Sequence, residues 1–577
     1  MKRTPLYIIG VLFFLLSCKK ESKSSEDVAT VEEQVTSKYG CAPKTTDADW
    51  YTTNNKAPLI EGLDVLNYPI TTKNEKAQQY FNQGLVLAYG FNHAEAARSF
   101  YYATQLDPDC AMCYWGYAYV LGPNYNAGME PDNYERAYKA IQKAKELAAN
   151  ASAKEKDLIA ALAERYVAEP IDDRSHLDIA YSDAMKELYG KYPEDPEIAA
   201  LYAESVMDLH PWDLYTKDGF PKSWTPEIVA LLEDIMTKNP NHPGAHHFYI
   251  HAVEASTNPE RSLKSAAMFD NGLVPGSGHL THMPSHTYIR TGHYHKGTVA
   301  NINAVAVDSA YVTACHAQGI YPLAYYPHNY HFLAATATLE GNSHWAMVGA
   351  QKLAEQIHPD IMKQPEWFTL QHFYMIPYYV AVKLGKWDDI LAMELVTDTL
   401  KYPNAVQNYA RGMAYLGKGN LDEAKKELAA LKLKAQDESL EDMTIWGINS
   451  MSNIVQIAEK VLEAELLASE EKYDESIALL KEAVAIEDAL NYQEPPDWFF
   501  SVRHHLGAVQ IEAGAYEDAI ATYEADLKIL PRNGWAQQGM KLAYEKMNNK
   551  DKVSELEKLL ADSWATADIT ITTSRIK

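Results

Sequence analysis

Cysteine is scarce in this chain, with 5 residues in 577. Small folds that depend on disulfides contain a much larger share of cysteine, so we expect a hydrophobic core to hold this protein together. Basic residues are also few, because 52 Lys and Arg stand against 78 Asp and Glu and give a formal net charge of −26. Binding to nucleic acid draws most of its affinity from Lys and Arg that neutralise phosphates. We therefore expect no nucleic-acid partner.

Beyond residue 17, the sequence has no apolar run long enough to cross a bilayer, which takes about 20 residues. Residues 6–17 are mostly apolar and follow the basic pair Lys2 and Arg3, which is the size and order of a secretory signal. The run ends in Leu15-Leu16-Ser17-Cys18. This ending resembles a lipoprotein signal, in which cleavage before the cysteine exposes a new N-terminus that is acylated. The resemblance implies a signal peptide at 1–17 and lipidation of Cys18.

The residues after Cys18 are polar and charged up to residue 27, and such a stretch buries too little apolar surface to fold. We interpret residues 18–60 as a flexible tether and an N-terminal segment. Acyl chains on Cys18 would hold the rest of the chain on a membrane. We therefore expect an outer-membrane lipoprotein of the cell envelope, periplasmic or surface-exposed, whose partners include the membrane through its lipid anchor.

A repeated pattern of small and aromatic residues runs through the rest of the chain. It is clearest between Arg503 and Pro531, where the spacing predicts two amphipathic helices joined by a glycine turn. The marker residues of this unit are Leu506, Gly507, Gly514, Tyr516, Ala519, Tyr523 and Pro531. The unit resembles the tetratricopeptide repeat, which has 34 residues. Further units resemble it from residue 77 to residue 565, about ten to twelve in all.

The predicted fold is therefore all-α, a tetratricopeptide-repeat solenoid of stacked antiparallel helix pairs. We divide it into an array at 61–400 and a C-terminal array at 401–577. Stacked pairs share a continuous core and create a concave surface. The resemblance implies that the first helix of each pair lines that concave groove, where such proteins bind their ligands.

Histidine is concentrated in the middle of the chain, with 12 of the 20 residues between His242 and His331. When the repeats are aligned, eight histidines in four successive units fall at the second, fifth and ninth places of the first helix. Steps of three and four residues return to the same helix face, so we expect these side chains to point into the groove. They are His247, His251, His279, His282, His286, His328, His331 and His372. Glu204, Asp208 and Glu254 are further groove candidates on the same face.

Imidazoles that converge from neighbouring helices favour a transition-metal site, because neutral histidine is a common ligand of zinc, copper and iron. His247 and His251 stand four residues apart and could chelate one ion from a single helix. We predict a metal site formed by His247, His251, His279, His282, His286, His328 and His331, with Zn, Cu or Fe as the metal. Residue 248 is Phe, so the zinc-protease motif H-E-x-x-H is absent and metalloprotease chemistry is not indicated.

Two other functions are compatible with the same pattern. The groove could dock an envelope protein or a small ligand without metal, with the histidines as ordinary polar contacts. The protein could also bind a surface glycan, in the way of the helical lipoproteins of starch-utilisation systems, although the regular repeats and the lack of inserts argue against that family. The pattern leaves catalysis open; in an enzyme the histidines would act as ligands or acid–base groups, with Glu254 as their helper.

Cys110 and Cys113 form a Cys-x-x-Cys motif at a predicted helix start. Such a motif can be redox-active, but Tyr114 follows it, so it is not a haem-attachment motif. We interpret the pair as structural thiols or a structural disulfide.

Overall fold

The computed structural model describes residues 44–52, 55–396 and 399–577. The predicted signal peptide and Cys18 lie outside these residues. Residues 44–577 form one compact unit, and most of it is helical. Its α-helices are α1 (Glu75–Tyr89), α2 (His93–Leu106), α3 (Ala111–Val120), α4 (Asn133–Leu147), α5 (Ala153–Ala163), α6 (Ser175–Lys191), α7 (Pro196–Asp208), α8 (Thr225–Lys238), α9 (Pro243–Glu254), α10 (Leu263–Asp270), α11 (Gly278–His282), α12 (Pro284–Thr291), α13 (Tyr294–Cys315), α14 (Tyr326–Leu339), α15 (Ser343–Glu355), α16 (Thr369–Lys383), α17 (Trp387–Ala392), α18 (Lys401–Gly417), α19 (Leu421–Ala435), α20 (Met451–Ser469), α21 (Tyr473–Ala489), α22 (Arg503–Glu512), α23 (Tyr516–Ile529), α24 (Gly534–Lys546) and α25 (Lys550–Ser563).

Short elements complete the described chain. An antiparallel hairpin of β1 (Thr444–Ile445) and β2 (Asn449–Ser450) pairs Thr444 with Ser450 and Ile445 with Asn449. The remaining turns are 3-10 helices at Ala48–Thr52, Ala148–Asn150, Pro259–Ser262, Pro365–Trp367 and Glu438–Leu440, and a π-helix at Tyr321–Tyr325. In the part of the chain that the structure describes, no helix has the length and apolar character that a membrane span requires.

Glycine turns join the helices into antiparallel pairs. Gly341 lies between α14 and α15 with φ +79°, and Gly514 lies between α22 and α23 with φ +80°. A residue in the left-handed backbone conformation at a helix end lets the following backbone N–H groups bond to the last carbonyls of the helix. Glycine adopts this conformation without steric cost. The residue after Gly341 is Asn342, whose side chain accepts from the backbone N–H of Trp345 and so caps the second helix. The all-α prediction is confirmed.

At two places in the array, an aromatic ring of one helix pair packs between a glycine of its own pair and a glycine of the next pair. Phe100 of α2 packs against Gly84 of α1, and also against Gly116 of α3 in the following unit. Tyr523 of α23 repeats the arrangement against Gly507 of α22 and Gly539 of α24. Ideal Cβ atoms on these glycines would lie 2.3–2.8 Å from the nearest ring atoms, so only glycine fits. The small and aromatic markers of the sequence repeat are therefore its contact points.

The first helices of successive pairs form the inner row of the array. Neighbouring members of this row pack side by side in the order α7, α9, α12, α14, α16 and α18. Residues that face inward from α9, α12 and α14 are thereby brought within reach of one another. This row positions the histidines.

The C-terminal units return to this inner row and cover it. The Tyr294 hydroxyl donates to the Pro531 carbonyl at 2.7 Å, and the Trp535 indole N–H donates to the Thr338 carbonyl at 3.0 Å. Glu494, between α21 and α22, lies against the middle of the row. The inward face around the histidines is therefore a covered interior, where the sequence predicts an open groove.

Two smaller features concern the N-terminal part. Cys110 and Cys113 are joined in a buried disulfide at the start of α3. The segment before α1 lies along that helix, where Gln83 Oε1 accepts from the Ile60 N–H at 2.7 Å and Asn82 Oδ1 accepts from the Tyr68 N–H at 3.2 Å.

Candidate metal centre

Four helices of the inner region carry the clustered histidines. α9 carries His247 and His251, the short α11 carries His279 and His282, α12 begins at Pro284 and carries His286, and α14 carries His328. All but His328 are at most 2 % exposed. Their ring atoms form two sets of three, in each of which one nitrogen per residue lies within 4.8 Å of the others. The first trio is His247, His251 and His279, and the second trio is His282, His286 and His328.

Hydrogen bonds at Nδ1 fix the protonation of two rings in the first trio. Nδ1 of His247 lies 2.6 Å from the Tyr89 carbonyl, which can only accept, so this nitrogen carries the proton. Nδ1 of His251 lies 2.9 Å from Oε1 of Glu254 and donates to it. In both rings Nε2 is then a lone-pair nitrogen, and it has no hydrogen-bond partner. Neither nitrogen of His279 has a partner.

The second trio is oriented in the same way. Nδ1 of His282 donates to Oδ1 of Asn301 at 2.7 Å, and the direction of that amide is set because its Nδ2 donates to the Gly297 carbonyl at 2.8 Å. Nδ1 of His286 donates to Oε2 of Glu254 at 2.7 Å. Nε2 of His286 donates a hydrogen bond to Nε2 of His282 at 3.0 Å, because the proton of His282 is on Nδ1. A zinc ion at this trio would take the place of that proton, and its tetrahedral ligands would be about 3.3 Å apart with Zn–N bonds of 2.0–2.1 Å.

Glu254 connects the two trios. One carboxylate oxygen accepts from His251 and the other from His286. His251, Glu254 and His286 also bring ligand-type atoms together, and both oxygens of Glu254 are already used in these hydrogen bonds. Glu254 therefore orients two imidazoles, which is the usual role of a carboxylate behind a metal-bound histidine. Nε2 of His251 is unpaired, whereas Nε2 of His286 bonds to His282.

Burial lowers the pKa of His247, His279, His282 and His328 well below the usual histidine value, and the neighbouring imidazoles lower it further. These rings are neutral at pH 7 and need lose no proton to bind a metal. His286 differs, because Glu254 and Glu494 outweigh its burial and raise its pKa to about 9.

The two carboxyl groups beside His286 shift in opposite directions. Burial opposes the charge of Glu254, but His286 and His251 outweigh it and lower the pKa of Glu254 to about 2. Burial and the charge of Glu254 together raise the pKa of Glu494 to about 7.

Two cavities border the centre. The small cavity has a volume of about 100 Å³ and is lined by His279, His286, His328 and Glu494, with Trp212 among its other walls. The large cavity has a volume of about 300 Å³ and is lined by His251, Glu254 and, again, Trp212. Each trio therefore has a face that a small molecule can reach.

Six of the seven predicted ligands lie in the two trios. The predicted groove residue Glu254 lies between the trios and bonds one histidine of each. His331 does not join them: it stacks on Phe499, with ring centroids 5.0 Å apart, and lies next to His372, 5.7 Å away. The predicted groove residue His372 donates to or accepts from the Tyr402 hydroxyl through Nδ1 at 2.7 Å. His331 and His372 thus form a separate buried pair.

Glu204 and Asp208 also lie outside the histidine trios. Tyr119 donates its hydroxyl proton to Glu204, and Asp208 pairs with the Arg165 guanidinium at 2.7 Å. Both carboxylates belong to α7, which precedes α9 in the inner row. One oxygen of each carboxylate is paired with these N-terminal partners, and the other, Oε1 of Glu204 or Oδ1 of Asp208, is buried without a partner.

Sequence reasoning missed Glu494 and Asn301, which complete the surroundings of the second trio. Glu494 stands in a loop that precedes two prolines, and no helical spacing marks it. Asn301 lies on α13, the second helix of its pair, which the repeat pattern assigns to the outer layer. Their roles arise from contacts that local spacing does not encode.

No family model matches the chain, and no curated protein matches its sequence. Solved structures do match. The human IFIT1 dimer with m7Gppp-AAAA is 12% identical with a TM-score of 0.31, and the match covers 87% of this chain and 92% of that one. Yeast Tom70 is 12% identical with a TM-score of 0.25, covering 85% and 92%, and the TPR domain of P58(IPK) is 13% identical with a TM-score of 0.20, covering 82% and 99%.

The packing of each pair onto the next identifies the architecture. By fold, this chain is a tetratricopeptide-repeat protein. Glycine turns join its helix pairs, and one aromatic ring is held between glycines of successive first helices, as around Phe100 and Tyr523. At such low identities and TM-scores, the solved structures say nothing about the histidine centre.

Proposed function

We propose that this tetratricopeptide-repeat protein binds transition-metal ions in its buried histidine centre, one ion at each trio. The observation that carries the proposal is the set of unpaired nitrogens in the first trio, Nε2 of His247 and His251 and both nitrogens of His279. A buried polar atom without a partner costs about 1–3 kcal/mol. A metal ion would use these lone pairs and remove that cost.

The surroundings of the trios support the same proposal. Tyr89, Glu254 and Asn301 each hold an Nδ1–H and direct the opposite nitrogen inward, which is how ligating histidines are oriented in proteins. Three imidazoles without a thiolate suit zinc, copper or iron. Three protein ligands also leave a position for water or another molecule, as in catalytic rather than structural zinc sites.

Docking of an envelope protein without metal is the alternative that the sequence allowed. That function needs an exposed inner face, whereas the trios are covered by the C-terminal units and by the segment that carries Glu494. A glycan site would likewise need an open surface. Neither alternative gives the unpaired imidazoles a partner.

The metal proposal is tested by measuring metal bound per folded chain. Protein purified without a metal-affinity tag would be stripped with a chelator and titrated calorimetrically with zinc, copper and ferrous iron in turn. We expect two ions per chain for at least one of these metals, and one ion in His279→Ala. His246→Ala is the matched control, because His246 is fully buried but bonds Ser265 and the Pro240 carbonyl through its two nitrogens. No stoichiometric binding, or equal loss in the control, would refute the proposal.

We also propose that the protein is anchored to the cell envelope through a lipid on Cys18. The support is the sequence Leu15-Leu16-Ser17-Cys18 after an apolar run and a basic pair. In cell fractionation, Cys18→Ser should move the protein from the membrane fraction to the soluble fraction. An unchanged distribution would exclude the anchor.

A further inference from the structure

The two histidine trios lie directly beside each other. His279 and His282 stand three residues apart on α11, belong to different trios and have ring centroids 5.7 Å apart. His251 and His286 form a second such pair between α9 and α12, with ring centroids 5.3 Å apart. An ion bound through Nε2 lies about 3.2 Å from its ring centroid, so ions held by these last two rings are at most about 12 Å apart.

Both trios also border one space. The small cavity is lined by His279 of the first trio and by His286 and His328 of the second. Its volume of about 100 Å³ is that of a sphere about 6 Å across, or of roughly three water molecules in the liquid. A molecule of about four or five non-hydrogen atoms fills such a space and reaches ligands of both trios.

The charges at this place favour an anion. When His286 binds an ion through Nε2, it gives up the proton there and becomes a neutral ligand. Two divalent ions then add four positive charges. The carboxylates of Glu254, behind His286, and Glu494, in the cavity wall, offset two of these charges when both are ionised. The remaining positive charge is buried, where an unpaired charge is costly, so an anion that binds between the ions stabilises the site.

Two side-chain amides specify the anion further. Gln493 is 8 % exposed, and its Nε2 donates no hydrogen bond. Oδ1 of Asn126 is buried and accepts none. Both residues line the small cavity. Buried polar atoms are nearly always paired, so the ligand accepts a hydrogen bond from Gln493 and donates one to Asn126. An oxyanion that retains one O–H group does both.

We propose that the two trios form one dinuclear metal centre, and that a small oxyanion with one O–H group binds between the two ions from the small cavity. Two of its oxygens bind the ions, one to each, and one of them also accepts from Gln493. Its O–H group donates to Asn126. Hydrogen carbonate is the simplest molecule of this class. This inference rests on the proposed metal centre and names the class of ligand that the centre receives.

Electron paramagnetic resonance of the full-length mature protein tests the dinuclear part, after loading with copper(II) and counting of the bound ions. Copper(II) binds a given site more tightly than zinc or ferrous iron does, so it should fill both trios. We expect spin coupling between the ions, seen as a half-field signal or as loss of the isolated copper(II) signal, in the parent and in the control His246→Ala. His279→Ala, with one ion, should give an isolated copper(II) signal. Two isolated signals in the parent would overturn the dinuclear centre and leave both metal sites intact.

Hydrogen carbonate is the probe for the ligand. Acetate is the comparison molecule, because it has the same shape but carries a methyl group in place of the O–H group. Titration of the copper-loaded protein, followed by its spectrum, should give one hydrogen carbonate per two ions. Its Kd should be about two- to tenfold lower than that of acetate, since it makes one more hydrogen bond. Asn126→Ala should make the two affinities equal.

Gln493→Leu should weaken the binding of both anions by about tenfold or more, because it removes a hydrogen bond to a charged group. Gln493 is not a metal ligand, so the copper content should not change, and a normal copper count shows that the variant is folded. Equal affinities for hydrogen carbonate and acetate in the parent, or one anion for each ion, would overturn the ligand class with the metal centre intact. Failure to bind copper, zinc or iron at all would overturn the proposed function, and this inference with it.

Discussion

Replacing Glu254 with glutamine tests whether this carboxylate sets the binding state of both trios. The two oxygens of Glu254 accept from Nδ1 of His251 at 2.9 Å and from Nδ1 of His286 at 2.7 Å. Glutamine has nearly the same shape but offers one acceptor and one donor. The ring that meets the amide NH₂ must accept through Nδ1 and carry its proton on Nε2. One trio then loses one of its three lone pairs.

The expected loss falls on one site. Changing the partner behind a ligating histidine lowers metal affinity by about 10–100-fold, which corresponds to about 1.4–2.8 kcal/mol. The other trio keeps the same three ligand nitrogens as in the parent protein, so its affinity should change little. Calorimetric titration of Glu254→Gln should therefore resolve a strong and a weakened step where the parent protein binds two ions tightly.

Glu465→Gln is the matched control. Glu465 is 2 % exposed, accepts from Nδ1 of His505 at 2.6 Å, pairs with Arg575 at 2.9 Å and belongs to neither trio. It tests the same chemical change at a buried Glu–His pair. Metal binding should be normal in this control. Two unchanged steps in Glu254→Gln, or equal weakening in both variants, would show that Glu254 does not orient the ligands.

Two further predictions concern the fold. Gly507→Ala should lower the free energy of unfolding by about 1–3 kcal/mol, because an ideal Cβ would lie 2.4 Å from the Tyr523 ring. In the control Gly190→Ala, the new Cβ meets nothing within 4 Å, so the free energy of unfolding should rise by up to about 1 kcal/mol. Equal effects of the two substitutions in urea titrations would contradict the packing argument. Burial raises the pKa of Asp308 from 3.8 to about 7, so its contribution to stability is complete below pH 4 and is lost as the pH rises through 7. In Asp308→Asn, the free energy of unfolding should no longer fall with pH through this group, a fall of up to about 1.4 kcal/mol per pH unit in the parent protein. Parallel plots of the free energy of unfolding against pH for the two proteins would argue against this role of Asp308.

The repeat pattern was enough to predict the helix pairs and most of the centre. Turn glycines such as Gly514 and the marker Tyr523 occupy the positions that the spacing indicates. Two periods act together on the histidines: steps of three and four residues within a helix, and about 35 residues between units. Where both periods apply, as for His251 and His286, the side chains meet, with ring centroids 5.3 Å apart.

The covering of the centre could not be predicted, because it depends on contacts between distant parts of the chain. Tyr294 and Pro531 are 237 residues apart in sequence, and nothing in either unit marks the other as its partner. The same return of the chain brings Glu494 to His286 and Phe499 to His331. His331 shares the predicted face but stacks on this covering segment, which explains why one predicted ligand lies outside the trios.

The most direct test of the metal centre is an anomalous difference map from crystals of the zinc-loaded protein, recorded at the zinc edge. We predict two peaks, each about 2.0–2.1 Å from three imidazole nitrogens: one at Nε2 of His247 and His251 together with His279, and one at Nε2 of His282 and His286 together with His328. A map with no zinc at either trio, or with zinc only on exposed histidines such as His344, would contradict the account.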